Sequence, residues 1–343
     1  MQMNNQMNQF IHQQFTVLPQ LIKEALPALT ETDYEQVVFV GSGSSLNAAA
    51  MADASFQAFT GVTTSYCSPV EYQEQRLFEQ SHLLVAISQT GTSIATRDCL
   101  AIAKQHNNPT VLISATLDEE RRQAADTFID LHCAEELIGP KTLGFTSTYV
   151  RLVQLGLRIG QQKGTITAEK ITEVQQHLLT ATEQLPAVFA STEAWIQANL
   201  DWANLPYVTL AGDETIQALL DEGALKILET LRLPAMAYEI GEFTHGPHRL
   251  IHDNSHHIFV ASGASKELTQ KVATYAKQHT PNVLLLSLED SPISLGLTQE
   301  TIGLELVLTL IFQVLANEWA LQTGFNPDQK VHQEFFTFVG TKN

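Results

Sequence analysis

The chain has 343 residues, 44% of them apolar and 16% charged, with 18 Gly, 12 Pro and a formal net charge of −18. This composition excludes disordered, collagen-like and coiled-coil chains, and the length fits two domains. Thirty-seven acids against nineteen bases, with no cluster of Lys or Arg, argue against nucleic acid or an anionic membrane surface as a partner.

The segment MQMNNQMNQF has neither the basic start nor the apolar core of a signal peptide, and no apolar run is expected to reach the ~20 residues that span a bilayer. Apolar positions Phe10, Ile11, Phe15, Leu18, Leu21, Ile22 and Leu26 predict a helical arm over 8–28. Pro19 should break or restart it, because proline lacks the N–H that a helix interior needs. Short apolar runs follow at 37–41, 63–67, 83–88, 110–114 and about 128–132. The polar stretch 166–200 has helical period and predicts connecting helices. Further apolar runs lie at 207–212, 235–238, 257–262 and 283–287, and the tail FNPDQKVHQEFFTFVG is expected to pack back on the body. Continuous apolar strands alternating with helices mark a parallel sheet buried on both faces. Cys67, Cys99 and Cys133 are sparse and odd in number, as expected of reduced thiols in a cytoplasmic protein.

The chain also repeats itself. HLLVAIS at 82–88 and AIAKQHNNPTVLIS at 101–114 return as HHIFVAS at 256–262 and TYAKQHTPNVLLLS at 274–287. Likewise VVFVGSGSS at 37–45 resembles YVTLAGDET at 207–215. The expected fold is therefore α/β: two doubly wound, flavodoxin-like parallel sheets related by internal repeat.

In such sheets ligands sit beyond the carboxyl ends of the strands, so the strand-to-helix turns carry the chemistry. Ser88-Gln89-Thr90-Gly91-Thr92-Ser93 places four hydroxyls, a flexible glycine and helix N-terminal amides together, an anion cradle that needs no Lys or Arg. The same residues would also serve as ordinary helix caps. The repeat discriminates: Ser262-Gly263-Ala264-Ser265-Lys266 keeps a cap and loses the hydroxyls, which makes the first copy the phosphate half. Gly41-Ser42-Gly43-Ser44-Ser45 is not a dinucleotide loop, because Leu46 stands where the third glycine is required and no acid follows at the ribose spacing.

These residues resemble the SIS (sugar isomerase) family across the whole chain as a tandem pair, most of all the isomerase half of glucosamine-6-phosphate synthase and the fructosamine-6-phosphate deglycases. The family's SQSGET loop corresponds to SQTGTS, and its G-T/S-S-x-N-A loop to Gly43-Ser44-Ser45-Leu46-Asn47-Ala48. The resemblance implies that Ser45, Ser88, Gln89, Thr90 and Ser93 bind a sugar phosphate, with Ser44 and Thr142 also near the substrate. The family motif E-G-A-L-K-x-x-E followed by G-E-x-x-H-G-P falls on 222–229 and 241–247. It implies that Glu229 shuttles a proton between C1 and C2, and that His245, supplied by a neighbouring subunit, opens the ring. Read cold, Glu229 is a helix carboxylate with Leu225 and Leu228 pointing inward beside it, and His245 lies in the turn Thr244-His245-Gly246-Pro247. Glu242 is the runner-up carboxylate, expected rather to be structural.

His245, His248, His252, His256 and His257 cluster, but neither HExxH nor a Cys pair accompanies them, so no metal and no cofactor are expected. The synthase's glutaminase domain and its N-terminal cysteine have no counterpart after Met1-Gln2-Met3, and its Schiff-base lysine none in register at Lys330 or Lys342. Glutamine-dependent transfer is therefore not expected. Lys141 replaces a small serine in Gly139-Pro140-Lys141-Thr142-Leu143-Gly144-Phe145-Thr146; it either reaches an anionic substituent or is a solvated loop lysine. The expected organisation is an arm (1–30), a first SIS domain (31–165), connecting helices (166–200), a second SIS domain (201–325) and a tail (326–343). The expected function is a phosphosugar isomerase or deglycase working as a cytoplasmic homodimer on a 6-phosphorylated amino sugar or fructosamine. A non-catalytic phosphosugar-binding regulator is the rival, though such proteins join one SIS domain to a DNA-binding segment.

Overall fold

The computed structural model describes residues 5–29 and 34–340. Strands form where the apolar runs place them. β1 (Gln36–Val40), β2 (Thr63–Cys67), β3 (Leu83–Ile87), β4 (Thr110–Ser114) and β5 (Thr127–Asp130) make one sheet; β6 (Val208–Gly212), β7 (Ala235–Glu239), β8 (His257–Val260) and β9 (Val283–Leu286) make another. Every pairing is parallel, in the orders β2-β1-β3-β4-β5 and β7-β6-β8-β9. The α/β class with two parallel sheets is thus the one expected. In each sheet the order reverses beside the first strand, between β1 and β3 and between β6 and β8, where such sheets open a ligand crevice.

The chain divides into two compact units. One comprises Thr16–Leu137, Leu143–Gln175 and Lys330–Asn343; the other Met1–Phe15, Ile138–Thr142 and Gln176–Gln329. In the first, Val38, Val40, Leu84, Ala86, Cys99, Leu100 and Leu112 form an apolar layer on the sheet; in the second, Ala211, Ile240, Phe243, Phe259 and Ala273 do so. These units cut the chain differently from the expected division, since 138–142 belongs with the later unit.

Four expectations need correction. Helix Gln6–Lys23 runs through Pro19 without a break. Burial of Leu18, Leu21 and Ile22 outweighs the lost donor, and Gln154 Nε2 donates to the carbonyls of Leu21 (2.7 Å) and Glu24 (3.0 Å) at the helix end. The stretch 166–200 holds one long helix, Ala168–Ala198, again with a proline inside, Pro186. The start of the tail packs back. Asp328 accepts from the amides of Gln6 (2.6 Å) and Met7 (3.0 Å), satisfying donors at a helix N-terminus, while Phe335 and Phe338 are exposed. Lys342 lies outside the described residues. Finally, Leu304–Gln322, with 19 residues and mean hydropathy 1.5, does reach the length and apolarity of a membrane span; 83% of it is buried as a core helix of its unit.

The three cysteines are free. Three buried histidines carry a pH consequence. His257 is held between Thr209 Oγ1 (2.6 Å) and Ser255 Oγ (2.7 Å), and burial, aided by His256 and His252, pushes its pKa down to about 4. Burial lowers those of His82 and His256 as well. These rings are neutral in the folded chain, whereas an unfolded histidine takes its proton near pH ~6.5. Stability is therefore fully present above that pH and is lost as the pH falls towards 4, by about 3 kcal/mol for His257 alone. Thermal melts at pH 7.5 and 5.0 should show this loss, and His257→Gln should shrink it. An acid loss of the same size in that variant would remove His257 as the cause.

Candidate active site

Because β1 and β3 are neighbours, with Val40 beside Ala86, the turns that follow them lie at the reversal of one sheet. The first turn enters helix Ser44–Thr60 through Gly43 in a left-handed conformation (φ 56°), and no side chain caps that helix. In the second, Gly91 (φ 66°) donates to the Ser88 carbonyl at 3.0 Å and turns the chain tightly. Thr90 and Thr92 share a hydroxyl hydrogen bond of 2.8 Å, and Ser93 Oγ accepts from Thr96 Oγ1 at 2.9 Å. Ser93 therefore does cap helix Ile94–Gln105, as well as facing the turn. Gln89 is buried: its Nε2 donates to the Ala134 carbonyl at 3.2 Å, and its Oε1 is buried with no partner. A Cβ at Gly144 would lie 2.7 Å from Gln89 Cγ, so the absent side chain there makes room for the glutamine.

Sequence reasoning missed one cation. Arg121 Nη1 donates to the Thr90 carbonyl at 3.4 Å, and its Nε lies 3.7 Å from Asp118 Oδ2. A positive charge thus rests against the backbone of the hydroxyl loop. Nothing local in the sequence signals it, since Arg121 arrives from the turn after β4.

The equivalent crevice of the other unit is closed to an anion by the chain itself. Asp213, after β6, accepts from Thr215 Oγ1 (2.7 Å), the Thr215 amide (3.1 Å) and the Ser265 amide (2.7 Å). Burial alone would raise its pKa, but those donors hold it below the usual carboxylate range. The carboxylate takes amides that a phosphate would otherwise use. This is the physical content of the difference between the two copies of the repeat.

The same unit holds Glu229, His245, Lys141 and Thr142; Ser44, Ser45, Ser88, Gln89, Thr90 and Ser93 lie in the other. Helix Gln217–Leu231 turns an unexpected face inward. Leu228 is 46% exposed, against the inward position expected of it, while Lys226 is 1% exposed. Lys226 Nζ sits 2.6 Å from Glu229 Oε2 and 3.2 Å from Glu222 Oε1. Burial would lower its pKa, but Glu222 and Glu229 overcome that and hold it above the ordinary lysine value. A buried ammonium is tolerated only when paired, and here it fixes the Glu229 carboxylate, whose side chain is 31% exposed, at the edge of the helix. The spacing E-x-x-x-K-x-x-E carried this signal, as i−4 and i+3 partners of one lysine.

His245 is exposed and follows the short helix Ile240–Phe243, which Glu239 caps by accepting from the amides of Gly241 (2.7 Å) and Glu242 (2.8 Å). Glu242 contributes its carbonyl to the His245 amide at 2.9 Å. Lys141 Nζ donates to the Ile138 carbonyl at 2.9 Å, and Thr142 is fully buried with its carbonyl accepting from Gln313 Nε2. Of the other histidines, His252 shares a hydrogen bond with the Tyr207 hydroxyl (2.9 Å) and His256 lies edge-on to Trp202. Among the described residues no three His, Cys, Asp or Glu side chains converge as a metal site.

Residues 32–158 match the model of the SIS domain. Over 333 residues and 91% of its length, the chain is 22% identical to glutamine–fructose-6-phosphate aminotransferase (isomerizing) of Thermococcus kodakarensis, covering 55% of that protein. The corresponding enzyme of Clostridium acetobutylicum is 26% identical over 64% of the chain, which covers 36% of it. The chain thus spans about half or less of the length of these curated relatives. Among solved structures, the C-terminal domain of glucosamine-fructose-6-phosphate aminotransferase from Francisella tularensis superposes with TM-score 0.82 at 20% identity, covering 96% of this chain and 99% of that one. Glucosamine-6-phosphate deaminase of Thermotoga maritima gives 0.79 at 20% identity, covering 95% and 97%. These likenesses establish a shared fold.

Proposed function

We propose that this SIS-domain protein, of the phosphosugar isomerase type, acts on a 6-phosphorylated amino sugar or fructosamine as a deglycase or deaminase. The observation that carries this reading is Glu229, a partly exposed carboxylate fixed at 2.6 Å by a buried lysine, as a positioned base must be and a passive binder's surface need not. The hydroxyl turn with Ser45, Ser88, Gln89, Thr90 and Ser93 holds the phosphate, Ser44 and Lys141 contact the rest of the substrate, and Thr142, fully buried, anchors the Lys141 loop through its carbonyl on Gln313. His245, offered by the partner of a homodimer, assists ring opening. Glu229 then removes the C1 proton of an open-chain fructosamine and returns it at C2. The resulting C1 imine is hydrolysed by water to an aldose 6-phosphate and a free amine. A 2-amino sugar would run the same shift from C2 to C1 and release ammonia from C2. No metal or cofactor is called for, and the free thiols fit a cytoplasmic setting.

The test is turnover on a panel of 6-phosphates: glucosamine, galactosamine, and fructose conjugated to several amino acids, with both products followed. Release from one member, lost in Glu229→Gln, is expected. Tight binding of a member without release from any would replace this reading with a non-catalytic binder. Gly144→Ala gives an independent check on the phosphate turn, because its Cβ would displace Gln89. Loss of one charge-assisted hydrogen bond should weaken sugar-phosphate binding by roughly tenfold in calorimetric titration. Unchanged affinity would take Gln89 out of the site.

A further inference from the structure

We infer that the unit built on β6–β9 carries a second small-molecule site, at the reversal of its own sheet, for a hydroxylated primary ammonium compound such as an unphosphorylated amino sugar. A cleft of about 320 Å³ opens there, lined by Thr215, Ser262, Glu300, Thr301 and Glu305 among others. It lies beyond the carboxyl ends of β6 and β8, the place where α/β sheets receive ligands, and its volume suits a single sugar ring.

Two independent features specify the ligand. Ser262, 4% exposed, lines the cleft with an Oγ that is buried and has no partner. A buried hydroxyl without a partner is a standing cost that a ligand hydroxyl would relieve. The second feature is charge. Glu300 and Glu305 line the cleft, Asp213 lies beside it through Ser265 and Thr215, and among the described residues no Lys, Arg or His lines it. Carboxylates there repel a phosphate and attract an ammonium. Among the described residues no three His, Cys, Asp or Glu side chains converge as a metal site, and the hydroxyls lining the cleft suit an organic ammonium that also carries hydroxyls. The hydroxyls of Thr215 and Thr301 complete a lining suited to a polyol. The two copies of the repeat have thus diverged towards ligands of opposite charge: a hydroxyl turn for a phosphate in one, an acidic cleft for an amine in the other. The inference does not depend on the activity proposed above.

Calorimetric titration of the full chain with glucosamine, against glucose and glucose 6-phosphate, tests it. Saturable binding of glucosamine is expected, with glucose at least tenfold weaker. It should survive the double variant Ser88→Ala/Ser93→Ala and should not be competed by inorganic phosphate. Glu305→Gln and Glu300→Gln should each weaken it at least tenfold with the melting profile retained, and Ser262→Ala should weaken it severalfold. No saturable heat with glucosamine overturns the inference. So does binding that the Ser88→Ala/Ser93→Ala chain loses, or that phosphate displaces, because the ligand would then sit at the phosphate turn.

Discussion

Exchanging Lys226 for methionine is expected to destabilise the chain by about 3–5 kcal/mol, the cost of removing one partner from a buried ion pair. Lys226 and Glu222 have side chains only 1% and 2% exposed, 3.2 Å apart. Without the ammonium, the Glu222 carboxylate stays in a low-dielectric interior and loses its cation. For a unit of this size the loss corresponds to a fall in melting temperature of roughly 10 °C. Glu222→Gln alone should cost less, because Lys226 keeps Glu229 at 2.6 Å. Adding Glu222→Leu to Lys226→Met should recover much of the loss, since replacing both members by apolar groups of similar shape is often near neutral. A Lys226→Met chain melting within ~2 °C of the parent would show that the pair is not a structural requirement.

The same triad shows where the sequence was legible and where it was not. Strands buried on both faces leave little choice of residue, and β4, buried throughout, falls on the expected 110–114 without a shift. The hydroxyl turn was equally visible, because a helix start at the end of an apolar run has a fixed place in an α/β sheet. Helix Gln217–Leu231 misled in its detail because apolar periodicity assumes that a charge faces water. Lys226 takes the inward position from Leu228 by bringing two carboxylates of its own helix with it. Pro19 and Pro186 mislead in the other direction, since local propensity is a weak constraint once flanking side chains are buried. Asp213 and Arg121 belong to a third kind. Each reaches a turn from a distant part of the chain, Asp213 onto Ser265 and Arg121 onto Thr90, and no local pattern encodes such a contact.

Replacing Glu229 by glutamine is expected to abolish most of the turnover while leaving the fold intact, the inverse of the Lys226 result. A general base contributes typically about 10²–10⁴ in rate, and an amide cannot take the proton. Stability should barely move, because the glutamine Oε1 still accepts from Lys226 and the buried Lys226–Glu222 pair is untouched. Substrate affinity should hold as well, because the turns proposed to hold the phosphate, residues 41–45 and 88–93, are not altered. The defect should therefore appear in kcat, whereas Ser88→Ala/Ser93→Ala should raise KM. Glu229→Asp provides the sharper arm. It keeps the carboxylate but withdraws it by one methylene from a position set by Lys226, and a displacement of that order can cost about 10² in rate. Activity in Glu229→Gln within threefold of the parent would remove Glu229 as the base and leave Glu242, beside His245, as the next carboxylate to test.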